Sequence, residues 1–193
     1  YQDSSYGALG FGGATYPGSA LDVTRVTVNE AAAIGGVCNY SAWGAAADRA
    51  ATGVTLGNYQ HRVYVLPSNV GCSWAGLAYV GCGNSCQAWV KAYSGQACGY
   101  NDAYAHEIGH NLGMWHASTD TNNDGTLDCE YCDTSDFMGY ATANLRTQNG
   151  PHKVKMGWAS GARVVDGSSG GTFTVSSLAL SAAGSPQVVK VRP

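Results

Sequence analysis

Residues 106 to 116 read His-Glu-Ile-Gly-His-Asn-Leu-Gly-Met-Trp-His. On a helix, His106 and His110 stand four residues apart and project from one face, where two imidazoles can share a cation. His116 cannot join them on a continued helix, because six further residues turn it about 600°, roughly 120° off that face, and carry it about 9 Å along the axis. The helix is therefore expected to stop in between. Gly113 permits the stop, since a residue without a Cβ can take the left-handed conformation that ends a helix and reverses the chain. Three neutral imidazoles then leave a fourth coordination position open, which distinguishes a catalytic zinc site from a closed structural one.

Glu107 adjoins the first of these ligands and points toward the open side, so it can take a proton from a zinc-bound water and pass it to a leaving amine. The plainer alternative is a helix with a few satisfied histidines. With five His, three Glu and 27 Gly in 193 residues, random placement fills all five positions of HExxHxxGxxH in roughly one such chain in 10⁵. The motif reads as a zinc-dependent endopeptidase site with Glu107 as general base.

Downstream, Ser135-Asp136-Phe137-Met138-Gly139-Tyr140 sets a Met in a short Gly-containing segment. Alongside the zinc motif it resembles the Met-turn of metzincin peptidases. Tyr140 lies two residues beyond Met138, the spacing at which astacin-like and serralysin-like metzincins carry a tyrosine near the zinc. That resemblance implies that Tyr140 ligates the resting metal or donates a hydrogen bond to the oxyanion; a half-buried structural aromatic is the alternative. Asn58-Tyr-Gln-His-Arg-Val-Tyr-Val-Leu-Pro67, Cys72-Ser-Trp-Ala-Gly-Leu-Ala-Tyr-Val-Gly-Cys82 and Cys86 are similar to the region before the zinc helix in the gametolysin family of metzincins. Glu130-Tyr-Cys-Asp-Thr-Ser-Asp-Phe-Met-Gly139 and Gly150-Pro-His-Lys-Val-Lys-Met-Gly-Trp158 are similar to that family as well. Some family members carry Gln in place of the first ligand; here the position is His106.

The resemblance implies an α+β metzincin domain: a twisted mixed sheet with an active-site helix, a lower subdomain carrying the Met-turn at Met138, and a β-rich C-terminal tail. It implies zinc as cofactor and extracellular-matrix or cell-wall glycoproteins as substrates. By the same analogy, Ala75 to Val80 is the edge strand that pairs with an extended peptide, with Ala75, Gly76 and Leu77 touching it. Gly139 and Ala141, in the segment running to Asn144, would form part of the wall of the pocket for the residue after the scissile bond. A matrix-binding module that keeps the fold without turnover is the alternative from another class. A thermolysin-like site with a Glu third ligand is weaker, since only Glu130 follows the motif.

At 193 residues the chain is long enough for one catalytic domain. We expect residues 1–20 as an extended arm, 21–113 as an upper subdomain and 114–193 as the lower one with its tail, acting as a monomer. A net charge of −3, 12% charged residues and no basic cluster give no footprint for nucleic acid. The longest apolar runs, Ala31 to Ile34 and Val63 to Leu66, fall far short of the ~20 residues of a membrane span. The start at Tyr1, with neither Met nor a signal-type segment, is expected of a processed form. Seven Cys with few Lys suit a secreted, extracellular protein. Cys72, Cys82, Cys86 and Cys98 are expected to staple the region before the zinc helix. Connectivity is open, one thiol is left over, and Cys82 with Cys86 or Cys129 with Cys132 as structural zinc ligands is a rival reading.

Asp22 to Asn29, His61 to Leu66, Ala75 to Val80 and Gln87 to Tyr93 read as strands, and residues 162–193 alternate in the same way. Ser41 to Thr52 reads as a helix capped by Ser41. The zinc helix is expected from near Asp102, and Val154 to Trp158 as a short helix. Asp120-Thr-Asn-Asn-Asp-Gly-Thr-Leu-Asp128 matches the first nine positions of a calcium loop, with Asp120, Asn122, Asp124, Thr126 and Asp128 as candidate ligands. Position twelve is Tyr131, so Glu130 or Asp133 would have to complete the shell. A solvated Asn-Asp-Gly turn is the alternative.

Overall fold

A computed structural model describes residues 1–13, 21–28, 38–94, 101–140, 147–182 and 184–192. They fall into two compact units, one within Gly12–Trp115 and the other within Tyr1–Phe11, His116–Tyr140 and Arg146–Pro193.

The first unit is a small α/β layer. Helix α1 spans Tyr40–Ala50, β1 His61–Leu66, β2 Gly76–Ala78, β3 Cys86–Lys91 and α2 Asn101–Asn111. The mixed sheet has the order β1-β3-β2, with β1 parallel and β2 antiparallel to β3. Central β3 is the most buried strand, and Trp89 is its anchor, ringed by Tyr40 at 4.9 Å, Tyr64 at 5.5 Å and Tyr79 at 5.7 Å. Truncating such a residue typically costs about 3–5 kcal/mol. The Ala-rich α1 buries Trp43, Gly44 and Ala46. Close approach is needed there, because a Cβ on Gly44 would sit 3.1 Å from the Trp89 indole nitrogen. Asp48 ties α1 to β1 by accepting from the Arg62 guanidinium at 2.6 Å and the Tyr64 hydroxyl at 2.9 Å.

Several expectations shift by a residue or two. Helix α1 begins at Tyr40 with Asn39 as its cap residue, so Ser41 lies inside the first turn and caps nothing. Strand β2 is only three residues long. Of the strand expected over Asp22 to Asn29, residues 22–28 form none, although the Tyr59 hydroxyl holds Asp22 at 2.6 Å; Asn29 lies outside the described residues. Cys72 is bonded to Cys38, Cys82 to Cys86 and Cys129 to Cys132, so neither close-spaced pair is a zinc-ligand pair. Cys98, the seventh cysteine, lies outside the described residues, as does the run Ala31 to Ile34.

The second unit holds α3, Gly150–Lys155, and a parallel pair formed by β4, Val164–Asp166, and β5, Val188–Lys190. The helix starts before the expected Val154, because the Asn149 side chain accepts from the His152 amide at 2.9 Å and Pro151 fits the first turn. Of the β-rich tail only β4 and β5 are strands among the described residues. Nor do the first eleven residues form an extended arm. Residues 2–7 are turns within this unit, with the Tyr1 ring edge-on to Phe11, Phe137 and Trp158 and the Ser4 carbonyl accepting from buried Lys153. Asp136, fully buried, is the polar hub. It accepts from the Met138 amide at 2.7 Å, the Asn149 amide at 2.8 Å and His152 Nδ1 at 2.6 Å.

No helix among the described residues is long and apolar enough to cross a membrane.

Candidate active site

Helix α2 ends as the HExxHxxGxxH spacing requires. Gly113 takes φ +94°, its amide donates to the His110 carbonyl at 2.8 Å and the Met114 amide donates to the Gly109 carbonyl at 3.0 Å. These two bonds are the Schellman arrangement, which satisfies helix-end carbonyls that would otherwise lack partners. The end is also tied to the sheet: the Gly81 amide donates to the His110 carbonyl at 2.9 Å. Buried Asn111 donates to the carbonyls of Tyr79 at 2.9 Å and Gln87 at 3.0 Å.

His106 and His110 are buried on one face, with ring centroids 4.8 Å apart. In the continuous run from His106 to His116, the ligand-capable nitrogens of all three imidazoles lie within 4.8 Å of one another, the one such cluster of His, Cys, Asp and Glu among the described residues. Two tautomers follow from hydrogen bonding. His110 Nδ1 is 2.8 Å from the Met114 carbonyl and His116 Nδ1 is 2.6 Å from Glu130 Oε1. Both partners only accept, so both Nδ1 atoms donate and both Nε2 atoms of the neutral rings carry the lone pair a metal needs.

Glu107 is 5% exposed, and burial alone pushes its carboxyl up to about 8. The neighbour that makes room for it is Gly76 on β2. A Cβ there would overlap the Glu107 side chain, lying 2.6 Å from Cγ and 2.7 Å from Cδ. Strand β2 is at the sheet edge, and its register divides the expected substrate-binding residues. The Lys91 amide donates to the Ala75 carbonyl at 2.8 Å and the Tyr79 amide donates to the Gln87 carbonyl at 3.3 Å. By the alternation of an antiparallel ladder, Ala75 and Leu77 turn their backbone groups toward β3, while Gly76 and Ala78 turn theirs to the open edge.

Met138 is fully buried. Its carbonyl accepts from the Ala117 amide at 2.9 Å, which pins the residue just after His116. Gly139 is required by space, since a Cβ would overlap the Asp133 carbonyl oxygen. The Tyr140 side chain is 65% exposed, and Ala141 lies outside the described residues, as do the positions on to Asn144.

The carboxylates of the expected calcium loop turn inward. Asp120 accepts from the amides of Asp124 and Gly125, Asn122 from the Asp124 amide, Asp124 from Thr126, and Asp128 from Thr121. Hydrogen bonds from Thr126 and Thr121 hold the carboxyls of Asp124 and Asp128 below the usual range. These bonds close the loop on itself, and nothing in them distinguishes a calcium loop from a solvated turn.

Over residues 1–191 the chain matches the family model described as Gametolysin peptidase M11. The chain belongs to the gametolysin peptidase family. It is also 38% identical over 104 residues to a protein named Autolysin from Chlamydomonas reinhardtii, a match covering 52% of this chain and 15% of that much longer relative. No solved structure matches it.

Three residues of this gametolysin-family chain stand at the site without having been singled out for those places: Asn111, Ala78 and, beside His116, Glu130. Only Ala78 had a signal, the two-residue alternation of the expected edge strand.

Burial of Glu107 links the site to stability. Between about pH 4.5 and 8 the folded, metal-free protein keeps a proton that the unfolded chain has released, so stability falls as pH rises through that window. Denaturant titrations at pH 5 and pH 8 in excess chelator should show a larger loss for the unaltered protein than for Glu107→Gln. Equal losses would mean that Glu107 is not desolvated.

Proposed function

We propose that the chain is a secreted zinc metalloendopeptidase of metzincin type, hydrolysing peptide bonds in extracellular-matrix or cell-wall glycoproteins as a monomer. The observation that carries this reading is the cluster of three imidazoles with a buried carboxyl one residue from the first of them. The donor set fits zinc: all three donors are imidazole nitrogens, two with Nε2 freed by a partner on Nδ1, and three protein ligands leave room for reactants. His106, His110 and His116 would hold the ion, which when bound supplies Lewis acidity toward water and a peptide carbonyl.

The remaining work falls to the chain's own groups. Glu107, in a desolvated setting that strengthens its attraction for a proton, takes one from the attacking water and delivers it to the leaving nitrogen. The outward backbone groups of Gly76 and Ala78 pair with an extended polypeptide at the open edge of β2, with Leu77 and Ala75 as its neighbours. Tyr140, exposed at the end of the Met138 segment, donates a hydrogen bond to the oxyanion. Gly139 and Ala141 line the wall of the pocket beyond the scissile bond, and Met138 stands at the Met-turn position. Family membership supports peptide hydrolysis in a wall or matrix, and a relative named Autolysin supports a lytic role. Three disulfides among the described residues support secretion.

Ligand and base should separate cleanly. Glu107→Gln should keep about one zinc by elemental analysis while kcat falls roughly 10²- to 10⁴-fold, whereas His110→Ala should lose the metal. Near-normal peptide cleavage by Glu107→Gln would remove Glu107 from the mechanism.

Gly76→Ala tests the close approach of β2 to the base. The added methyl must displace Glu107, so activity should fall roughly 10²-fold with zinc content intact. Unchanged turnover would mean that the carboxyl works from another position.

Tyr140→Phe keeps the ring and removes the hydroxyl. If the hydroxyl meets the oxyanion, kcat should fall on the order of 10²-fold with KM and melting temperature nearly constant. An unaltered kcat at confirmed zinc content would return Tyr140 to a structural role.

A further inference from the structure

Three residues past His116, the chain meets a four-residue loop closed by the Cys129–Cys132 disulfide. The loop is anchored there by a two-way backbone bridge: the Thr119 amide donates to the Cys129 carbonyl at 2.9 Å and the Cys129 amide donates to the Thr119 carbonyl at 3.3 Å. Its two inner residues both meet the third imidazole. Glu130 Oε1 lies 2.6 Å from His116 Nδ1, and the Tyr131 ring lies 4.1 Å from the His116 ring at a tilt of 39°.

The three imidazoles are not held alike. His110 is oriented by the Met114 carbonyl, a backbone group supplied by the turn that ends its own helix. His116 lies beyond that helix and receives its acceptor from a side chain fourteen positions away in sequence. The Glu130 side chain is 56% exposed, so it needs no burial of charge to reach the ring. With Nδ1 donating to a carboxylate, the neutral ring is confined to one tautomer with its lone pair on Nε2. The face of Tyr131 opposes rotation of the ring.

We propose that Glu130 is a positioning residue for the third imidazole, presented by the Cys129–Cys132 loop with Tyr131 at the ring face, and that it sets the affinity of the site for zinc. The proposal rests on the reading of His106, His110 and His116 as a zinc site. Glu130 is neither the completing ligand of a calcium loop nor a rival third zinc ligand; its carboxylate acts through His116.

The test is zinc affinity of the full chain, measured by competition with a chromophoric chelator, for the unaltered protein, Glu130→Ala, Glu130→Gln and His116→Ala. Glu130→Ala should bind zinc roughly 10- to 100-fold more weakly. Glu130→Gln, whose amide oxygen still accepts from Nδ1, should recover part of that loss, and the visible bands of the cobalt-substituted protein should shift in Glu130→Ala more than in Glu130→Gln. The melting temperature of the zinc-free protein should be nearly the same in all four. If both Glu130 variants bind zinc as tightly as the unaltered protein while His116→Ala has lost it, the positioning role is overturned and the zinc site stands. A loss of affinity matched by a lower zinc-free melting temperature and not rescued by Gln also overturns it, because Glu130 would then be structural. If His116→Ala binds zinc normally, the zinc-site reading itself fails and takes this proposal with it.

Discussion

Two backbone hydrogen bonds close α2, from Gly113 to the His110 carbonyl and from Met114 to the Gly109 carbonyl, and end the helix between the second and third imidazoles of the motif. They exist because Gly113 takes a positive φ, a conformation that costs a residue with a Cβ roughly 1–2 kcal/mol. The same turn brings the Met114 carbonyl to His110 Nδ1, so one backbone device both ends the helix and selects the tautomer of the second imidazole. Asn111 and Gly81 then lock the end of α2 to the strand ends.

Glu107 shows the opposing pressure. A carboxyl with 5% exposure destabilises the fold whenever it is ionised, which burial records by raising its affinity for a proton. A sequence selected only for stability would not keep a glutamate there. A cation held among the imidazoles would lower that proton affinity again. Gly76 belongs to the same compromise: it weakens a three-residue edge strand, yet any side chain at that position would occupy the space of the carboxyl.

Local patterns explain which parts were legible in the sequence. The helix break at Gly113 and the strand His61–Leu66 follow from spacing, alternation and one glycine, whereas the edge position of β2 followed only from the family resemblance. Alternation misled where no strand among the described residues pairs with it. Residues 22–28 and most of 162–193 carry the period of a strand without forming one, because a strand needs a partner and the pattern supplies only a candidate face. The turns within Tyr1–Phe11 were hidden for a similar reason: their stability comes from Phe137, Trp158 and Lys153, more than a hundred residues away. The contacts of Glu130 with His116, of Asn111 with the strand ends and of Gly76 with Glu107 have no counterpart in the sequence, because a single long-range contact leaves no periodicity, and only the fold reveals what a lone carboxylate, amide or missing Cβ faces.

The segment bearing Met138, Gly139 and Tyr140 is organised by polar contacts more than by an apolar cluster. Asp136 spends its two oxygens on the Met138 amide, the Asn149 amide and His152, and Asp133 accepts from the Asn149 side chain at 2.8 Å and from the Ser135 amide at 2.9 Å. Buried polar contacts of this kind add little net stability compared with apolar packing, since desolvation offsets most of their attraction. What they add is direction. An apolar core would hold Met138 in the interior but would tolerate sliding of the turn along α3. Bonds fixed in length and angle do not, and with the Gly139 backbone pressed against the Asp133 carbonyl they leave that turn one register. That register also fixes Ala117, whose amide binds the Met138 carbonyl, so the residue following the third imidazole takes its place from a carboxylate nineteen positions further along the chain.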